Sequence, residues 1–338
     1  MKSEKVILRG EIQEETAKCE GEAALVRRGA RAGCARRDME RGGRLRGERR
    51  APRGMGWWPD YPDFRDYTVE HELIRPLLAQ TKVGPRKAKA ALPSSADLLA
   101  WCPPVEDQGD LGACTANAGV ALIEYFERRA YGKHVDASRL FLYKVTRNLL
   151  HWTGDTGAFI RTTMKALRLF GVPPEEYWPY EIAEFDIEPT AFCYAFGEDY
   201  ETIKYYRLDP PGTKAEELLV KIKKHLHSGL PSMFGFSVYD SIDQAAETGK
   251  IPVPAPGDSW AGGHAVVAVG YDDAIKTTNA ASGSPSFLGA LLIRNSWGKE
   301  WGPLGGYLWL PYEYVLGGLA TDWWTLIKAG WVDTTEFE

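Results

Sequence analysis

The run Gln108-Gly-Asp-Leu-Gly-Ala-Cys-Thr-Ala-Asn-Ala118 says more about how this chain folds than any other segment. Apolar residues recur at helical spacing from Thr115 to Arg129, so Cys114 stands where a helix is expected to begin, and Gly132 is expected to follow its end. The macrodipole and the free N–H groups of a helix N-terminus stabilise a thiolate and lower its pKa. Because a cysteine among small residues is more often an inert core residue, a role for Cys114 depends on the rest of the chain.

Two later segments supply the partners that a catalytic thiol needs. They are Gly262-Gly-His264-Ala-Val, where a strand is expected to begin at the histidine, and Arg294-Asn295-Ser-Trp297-Gly, where the neighbouring strand is expected to end. The amide oxygen of Asn295 would accept the ring N–H of His264 and fix its tautomer. Trp297 would cover that contact and keep water away from it.

An oxyanion site is expected upstream of the thiol. The side-chain amide of Gln108 and the backbone N–H of Cys114 would bind the negative oxygen of a tetrahedral intermediate. Each part alone is a weak signal. In this order and spacing, Gln108, Cys114, His264 and Asn295 predict acyl transfer through a thiol nucleophile.

In these motifs the sequence resembles the papain-like cysteine peptidases, the cathepsin family, over roughly residues 95–330. The matching blocks are Gln-Gly-x-x-Gly-x-Cys at 108–114, Gly-His-Ala-Val at 263–266, Asn-Ser-Trp-Gly-x-x-Trp-Gly at 295–302 with Gly306-Tyr307 beyond it, and Trp178-Pro-Tyr180. The resemblance implies a peptidase with Cys114 as nucleophile, His264 as acid and base, Asn295 as the orienting residue and Gln108 as the oxyanion donor. Gly154 and Gly157 resemble the glycine strip that pairs with an extended substrate. We also expect substrate contacts at Gly263, Trp297 and Trp301.

The sequence departs from the secreted members of the family in three places. Leu111 stands where animal and plant members have a disulfide-bonded cysteine, and Thr115-Ala-Asn117 replaces the usual aromatic residue, as in a prokaryotic-type branch. The long helical pro-region of those members is not expected in this chain. Only an aromatic and proline-containing segment, which we call the N-terminal strap (residues 55–93), precedes the core. We expect the strap to lie over or beside the cleft and to limit access to it.

Helical patterns mostly precede strand patterns along the chain. Further helices are predicted at Ile160–Phe170 and from the capping box Thr213-Lys-Ala-Glu216 to Gly229, strands at 233–239, 264–271, 290–294 and 307–310, and a polar, solvated hairpin loop at 272–289. This order predicts an α+β fold with two lobes. The resemblance implies a helical lobe and an antiparallel, β-barrel-like lobe with the active-site cleft between them, within a peptidase domain at 94–338.

Composition limits the other classes of function. Residues 1–54 carry a net charge of +6 and the remainder −11, and the arginine-rich 27–54 lacks aromatic residues, so we predict a disordered extension or a wrongly assigned start. A basic arm for nucleic acid is the weaker interpretation, and no nucleic-acid partner is expected. Five cysteines without CxxC spacing predict neither a disulfide framework nor a metal site, and no cofactor is expected. No segment is apolar enough for a signal peptide or a membrane span, so we expect a cytoplasmic protein.

Peptides or proteins are the expected substrates, and the sequence does not define an oligomeric state. Two alternatives stay open at this point. The same thiol would also serve an amidase, a ligase or another acyl transferase. The chain would otherwise be an inactive papain-like binding protein, although all four catalytic positions are filled.

Overall fold

The computed structural model describes residues 53–83, 91–281 and 283–337, which belong to one compact unit, Ala51–Glu338. Of the predicted arginine-rich extension, only Arg53 and Gly54 are among them. The prediction of disorder at 1–52 lies outside the described residues.

Most helices lie in the first half of the described chain. Their bounds are α1 Arg75–Ala79, α2 Cys114–Tyr131, α3 Arg139–Leu149, α4 Ile160–Phe170, α5 Ala191–Tyr194, α6 Ala215–His227, α7 Ala245–Thr248, α8 Glu313–Leu316 and α9 Ala329–Val332. Helix α2 begins at the predicted cysteine and ends at Gly132, whose φ of +67° is the left-handed conformation that suits glycine. It packs against α3, α4 and strand β4, and its residues 114–126 are all buried. A helix buried on every side forms the centre of a domain rather than a surface stripe.

The strands form one antiparallel sheet. Their bounds are β1 Ser95–Asp97, β2 Lys204–Arg207, β3 Ser232–Tyr239, β4 Trp260–Thr278, β5 Ser286–Arg294, β6 Tyr307–Pro311 and β7 Ala320–Ile327. The sheet order is β2-β7-β3-β4-β5-β6, with β1 paired to β4 beyond this path. The predicted α+β class is confirmed, and in the described residues the sheet is open, with β2 and β6 at its ends, rather than closed into a barrel.

One local prediction differs from the structure. Helix α6 begins at Ala215 with Lys214 as its N-cap and no side-chain cap, because the N–H of Thr213 instead closes the preceding turn onto the carbonyl of Pro210 at 3.1 Å. The hairpin predicted at 272–289 is found, with longer arms than expected, since β4 continues to Thr278 and β5 starts at Ser286. Backbone pairing between these arms, as between Thr277 and Phe287, orders a segment whose side chains are mainly polar.

The described residues contain no helix that is both long and apolar enough to cross a membrane. Their cysteines, Cys102, Cys114 and Cys193, are all buried free thiols.

Candidate active site

Cys114 lies at the N-terminus of α2, against strand β4. Its side chain is fully buried, and its Sγ accepts a hydrogen bond of 3.3 Å from the backbone N–H of Ala265. Ala265 directly follows His264 in β4. The packing of α2 on β4 therefore places the thiol next to the predicted acid–base residue.

The imidazole of His264 is held by Asn295. Strand register explains the meeting: Val267 of β4 pairs with Arg294 of β5, so both residues lie at the same end of this antiparallel pair. Nε2 of His264 is 2.8 Å from Oδ1 of Asn295. Because an amide oxygen only accepts, Nε2 carries the proton and Nδ1 presents a lone pair. Nδ1 is buried and has no hydrogen-bond partner in the described part of the chain.

Two tryptophans form a wall behind the imidazole. The ring of Trp297 stacks on His264 with centroids 4.7 Å apart, and Trp301 meets Trp297 edge-on at the same centroid distance. Both are nearly inaccessible, at 2% and 5% exposed. In this state they keep water from the His264–Asn295 hydrogen bond, and the substrate contacts expected at Trp297 and Trp301 stay a prediction.

Gln108 is fixed from three sides. Its Nε2 donates to the carbonyl oxygens of Leu111 at 2.8 Å and Gly54 at 3.0 Å. Its Oε1 accepts from Oγ of Ser296 at 2.5 Å, and its own N–H bonds the Ser296 carbonyl at 2.8 Å. Ser296 follows Asn295 in the Asn-Ser-Trp-Gly motif, but no role was predicted for it from the sequence. Its position between Asn295 and Trp297 was the feature that could have indicated a role in the site.

The chain's own N-terminal residues occupy the site. We call Arg53–Trp58 the cleft segment. The N–H of Trp57 donates to the carbonyl of Gly263 at 3.2 Å. Ala158 binds the segment twice, by donating to the Gly56 carbonyl at 2.7 Å and by accepting from the Trp58 N–H at 3.2 Å. Two positions expected to bind substrate are therefore next to the cleft segment. Gly263 binds it directly, and Gly157 directly precedes Ala158, which binds it.

Glycines allow the close approach. A Cβ on Gly56 would come within 1.8 Å of the Gly112 carbonyl oxygen, and one on Gly157 within 2.2 Å of the Gly56 carbonyl oxygen. The third expected glycine behaves differently. Gly154 bonds Asp186 through its N–H at 2.9 Å and Arg147 through its carbonyl at 2.6 Å, and a Cβ there would meet open space. Gly154 therefore stabilises its own loop, through Asp186 and Arg147, and makes no such close contact with the cleft segment.

Burial favours the neutral forms of the thiol and the imidazole in this closed state. It raises the pKa of Cys114 to about 11, although N–H groups of Ala265 and Gly56 that face the sulfur act in the opposite direction. It lowers the pKa of His264 to about 4, against the effect of the Asn295 hydrogen bond. The thiolate expected from the helix terminus is not favoured here, because the loss of water outweighs the macrodipole.

Comparison with known proteins agrees with this geometry. The model of the papain family cysteine proteases matches residues 92–321. The chain belongs to the papain family of cysteine proteases. A peptidase C1-like protein of Acanthamoeba polyphaga mimivirus, L477, is 31% identical to this protease over 290 residues, which are 81% of the chain and 86% of the viral protein.

Solved structures place this papain-family chain beside a bacterial enzyme. The crystal structure of xylellain, a cysteine protease from Xylella fastidiosa, superposes with a TM-score of 0.64 and 34% identity over 83% of this chain and 98% of xylellain. Procathepsin B S9 from Trypanosoma congolense, at 18% identity and a TM-score of 0.56 over 81% of this chain and 85% of that one, shares the fold. The chain is a cysteine endopeptidase, a hydrolase of peptide bonds.

Proposed function

We propose that Cys114, His264, Asn295 and Gln108 together hydrolyse peptide bonds through a thioester on Cys114. The observation that supports this most strongly is the hydrogen bond from Ala265 to the Cys114 sulfur, beside an imidazole whose Nε2 is held by Asn295. This arrangement leaves the Nδ1 lone pair of His264 as the base for the thiol proton.

In the proposed acylation step, Nδ1 of His264 takes the proton of Cys114 and the sulfur attacks the carbonyl carbon of the substrate. The oxyanion that forms is bound by Nε2 of Gln108 and by the backbone N–H of Cys114. The imidazolium then gives its proton to the leaving amine as the C–N bond breaks. Water, activated by the neutral imidazole, attacks the thioester and releases the acid and the free thiol.

The proposed function includes a self-inhibited state. The Gly54 carbonyl oxygen accepts one N–H of the Gln108 amide, which the oxyanion would need. Gly56 packs against Gly112, two residues before the nucleophile, and its carbonyl oxygen accepts from the N–H of Ala158. The cleft segment therefore competes with substrate. Its contacts begin at least at Arg53, before the strap boundary expected at residue 55, because Arg53 pairs with Asp107 at 3.4 Å.

A substitution at the nucleophile tests this function. Cys114→Ala is expected to remove peptide hydrolysis, whereas Cys193→Ala, a change at a buried thiol elsewhere, is expected to keep it. Full activity of Cys114→Ala would contradict the proposal.

Adding hydroxylamine to the same assay separates hydrolysis from acyl transfer. A hydrolase is expected to yield mainly acid at low amine concentration, and a transferase mainly hydroxamate. Four filled catalytic positions argue against an inactive binding protein. Cytoplasmic location stays a prediction.

A further inference from the structure

Asp155 joins the loop before Cys114 to the loop that binds the cleft segment. Its Oδ1 and Oδ2 accept from the backbone N–H of Gly112 at 2.9 and 3.1 Å, and Oδ1 also accepts from the hydroxyl of Tyr143 at 2.5 Å. Both partners are buried, although Asp155 lies at the surface of its loop. In the sequence, Asp155 interrupts the glycine strip, and no role was predicted for it. In the structure, its carboxylate binds the residue two positions before the nucleophile.

The peptide group between Leu111 and Gly112 is held at both ends. Its carbonyl oxygen accepts from Nε2 of Gln108 at 2.8 Å, and its N–H donates to Asp155. Because a peptide group is planar and rigid, a rotation that breaks one of these bonds also turns the other end away. Asp155 therefore fixes the carbonyl that orients the amide of Gln108, one of the two proposed oxyanion donors. The other donor, the N–H of Cys114, lies two residues further along the same backbone.

Tyr143 of helix α3 holds the Asp155 carboxylate in place. The side chain of Tyr143 is fully buried, and its hydroxyl accepts from the N–H of Gly157 at 3.1 Å while it donates to Asp155. Burial raises the pKa of Tyr143, and the adjacent carboxylate raises it further, so the hydroxyl stays protonated and remains the donor.

Gly112 leaves room for the carboxylate. A Cβ at this position would come within 2.8 Å of Oδ1 of Asp155. The second glycine of the Gln-Gly-x-x-Gly-x-Cys motif therefore allows the close approach of Asp155 to the backbone.

We propose that Asp155 is a positioning residue of the oxyanion site. Through the peptide group that it holds, it orients the Gln108 amide and the Cys114 N–H. The inference rests on the proposed function, because these two donors are assigned to that reaction. Hydrogen bonds to a carboxylate are stronger than those to a neutral acceptor, and oxyanion donors are effective when they are held in place before the reaction. Loss of Asp155 is therefore expected to slow the steps that pass through an oxyanion and to preserve the reactivity of the thiol.

The test compares two reactions of Cys114 in the full chain. Peptide hydrolysis passes through an oxyanion, whereas alkylation by iodoacetamide, in which the sulfur displaces iodide, does not. Displacement of the cleft segment changes both rates alike, so the ratio of kcat/KM to the alkylation rate constant reports on the oxyanion site. Asp155→Ala is expected to lower this ratio at least about 10-fold, with the loss in kcat. Asp155→Asn, whose single oxygen can accept from both Gly112 and Tyr143, is expected to keep it within about 3-fold.

Tyr143→Phe is a second variant should Asp155→Ala not fold. It removes the hydroxyl that holds the carboxylate and keeps the ring, so the ratio is expected to fall about 3-fold or more. Tyr206→Phe is the matched control, because Tyr206 is also fully buried and its hydroxyl has no hydrogen-bond partner in the described part of the chain. This control is expected to leave the ratio unchanged.

The affinity for a peptide aldehyde tests the same site without turnover. The sulfur of Cys114 adds to the aldehyde carbon, the π electrons of the C=O bond move to oxygen, and His264 takes the thiol proton. Relative to the alkylation rate constant, this affinity is expected to fall about 10-fold in Asp155→Ala and less than about 3-fold in Asp155→Asn.

Three results would overturn the inference: an unchanged ratio in Asp155→Ala, an effect on KM alone, or equal ratios for Tyr143→Phe and Tyr206→Phe. Aldehyde binding that depends on Asp155 in a chain that hydrolyses no peptide would contradict the proposed function and leave the positioning role standing.

Discussion

Cys114 and His264 are both cut off from water in the closed state, and each is shifted toward its neutral form. The cleft segment contributes to that burial. Trp57 donates its N–H to the carbonyl of Gly263, beside His264, and the backbone of Gly56 lies close enough to Cys114 to affect its pKa. The reactivity of the thiol therefore depends on whether the segment is in place. Both shifts are expected to diminish when water enters the cleft.

The pH dependence of alkylation follows from the pKa of Cys114. With a pKa near 11, the full chain holds little thiolate at neutral pH, so carboxamidomethylation of Cys114 by iodoacetamide is expected to accelerate about 10-fold per pH unit from pH 7 to pH 10. A chain starting at Leu92 is expected to react rapidly at pH 6. Mass spectrometry of the peptide that contains Cys114 distinguishes it from the other thiols. Identical pH profiles for the two chains would contradict the assignment of the shift to burial by the segment.

Gln108 and Ser296 allow a second prediction at this scale. Gln108→Ala is expected to lower kcat about 10²–10³-fold, as the loss of an oxyanion donor does. Ser296→Ala leaves the amide present but less well oriented, so kcat is expected to fall about 10-fold with KM nearly unchanged. Ser296→Thr, which keeps the hydroxyl, is expected to recover most of the rate. A larger loss for Ser296→Ala than for Gln108→Ala would contradict the positioning role.

At the scale of elements, one arginine of helix α4 binds the N-terminal strap to that helix. Arg161 donates to Asp66 at 2.8 and 2.7 Å and to the carbonyl of Tyr61 at 2.7 Å, and it also bonds Asp60. These charge-assisted contacts follow directly after the cleft segment. They are partly exposed, so their combined effect is about 1–2 kcal/mol rather than the full buried value.

Arg161→Ala is expected to loosen the cleft segment and raise the peptidase activity of the full chain about 10-fold. Arg168→Ala, two turns along the same helix, serves as the control and is expected to change activity little. Initial rates on one fluorogenic peptide, with folding checked by circular dichroism, measure both. Equal rates for the two variants would show that Arg161 does not hold the segment.

The elements with a clear period or motif were predictable from the sequence, and those without one were not. Helices α2 and α4 showed helical spacing and a terminal glycine, and both were found at nearly the predicted bounds. Helix α3 was missed because its charged residues Arg139, Lys144 and Arg147 are buried in ion pairs with residues distant in the sequence, so they do not mark an exposed face. Its one local signal was Ser138, whose side chain caps the N–H of Phe141 at 3.1 Å.

At the scale of the whole molecule, the motifs predicted which four side chains meet, but not what covers them. The strap was recognised by its aromatic and proline residues. Its docking depends on contacts between distant residues, such as Gly54 with Gln108 and Trp57 with Asp322. Such contacts leave no periodic trace in a single sequence. The contacts of the cleft segment therefore became visible only in the folded chain.

Removing the N-terminal strap is expected to cost stability. Trp57, Ile74 and Leu78 are buried in the common core, and each fully buried side chain of this size contributes about 1.5–3 kcal/mol. The chain starting at Leu92 is therefore expected to melt roughly 10 °C below the full chain. Differential scanning calorimetry measures the difference. A melting temperature equal to that of the full chain would show that the strap is not part of the core.

The most direct test of a thiol peptidase closed by its own N-terminal segment is the kcat/KM of the chain starting at Leu92, measured beside the full chain on one peptide substrate. Release of the Gln108 amide and of the cleft predicts at least about a 10-fold higher value for the shorter chain. Cys114→Ala in the shorter chain is expected to abolish it. Equal values for two folded, soluble chains, or activity that survives Cys114→Ala, would contradict the account.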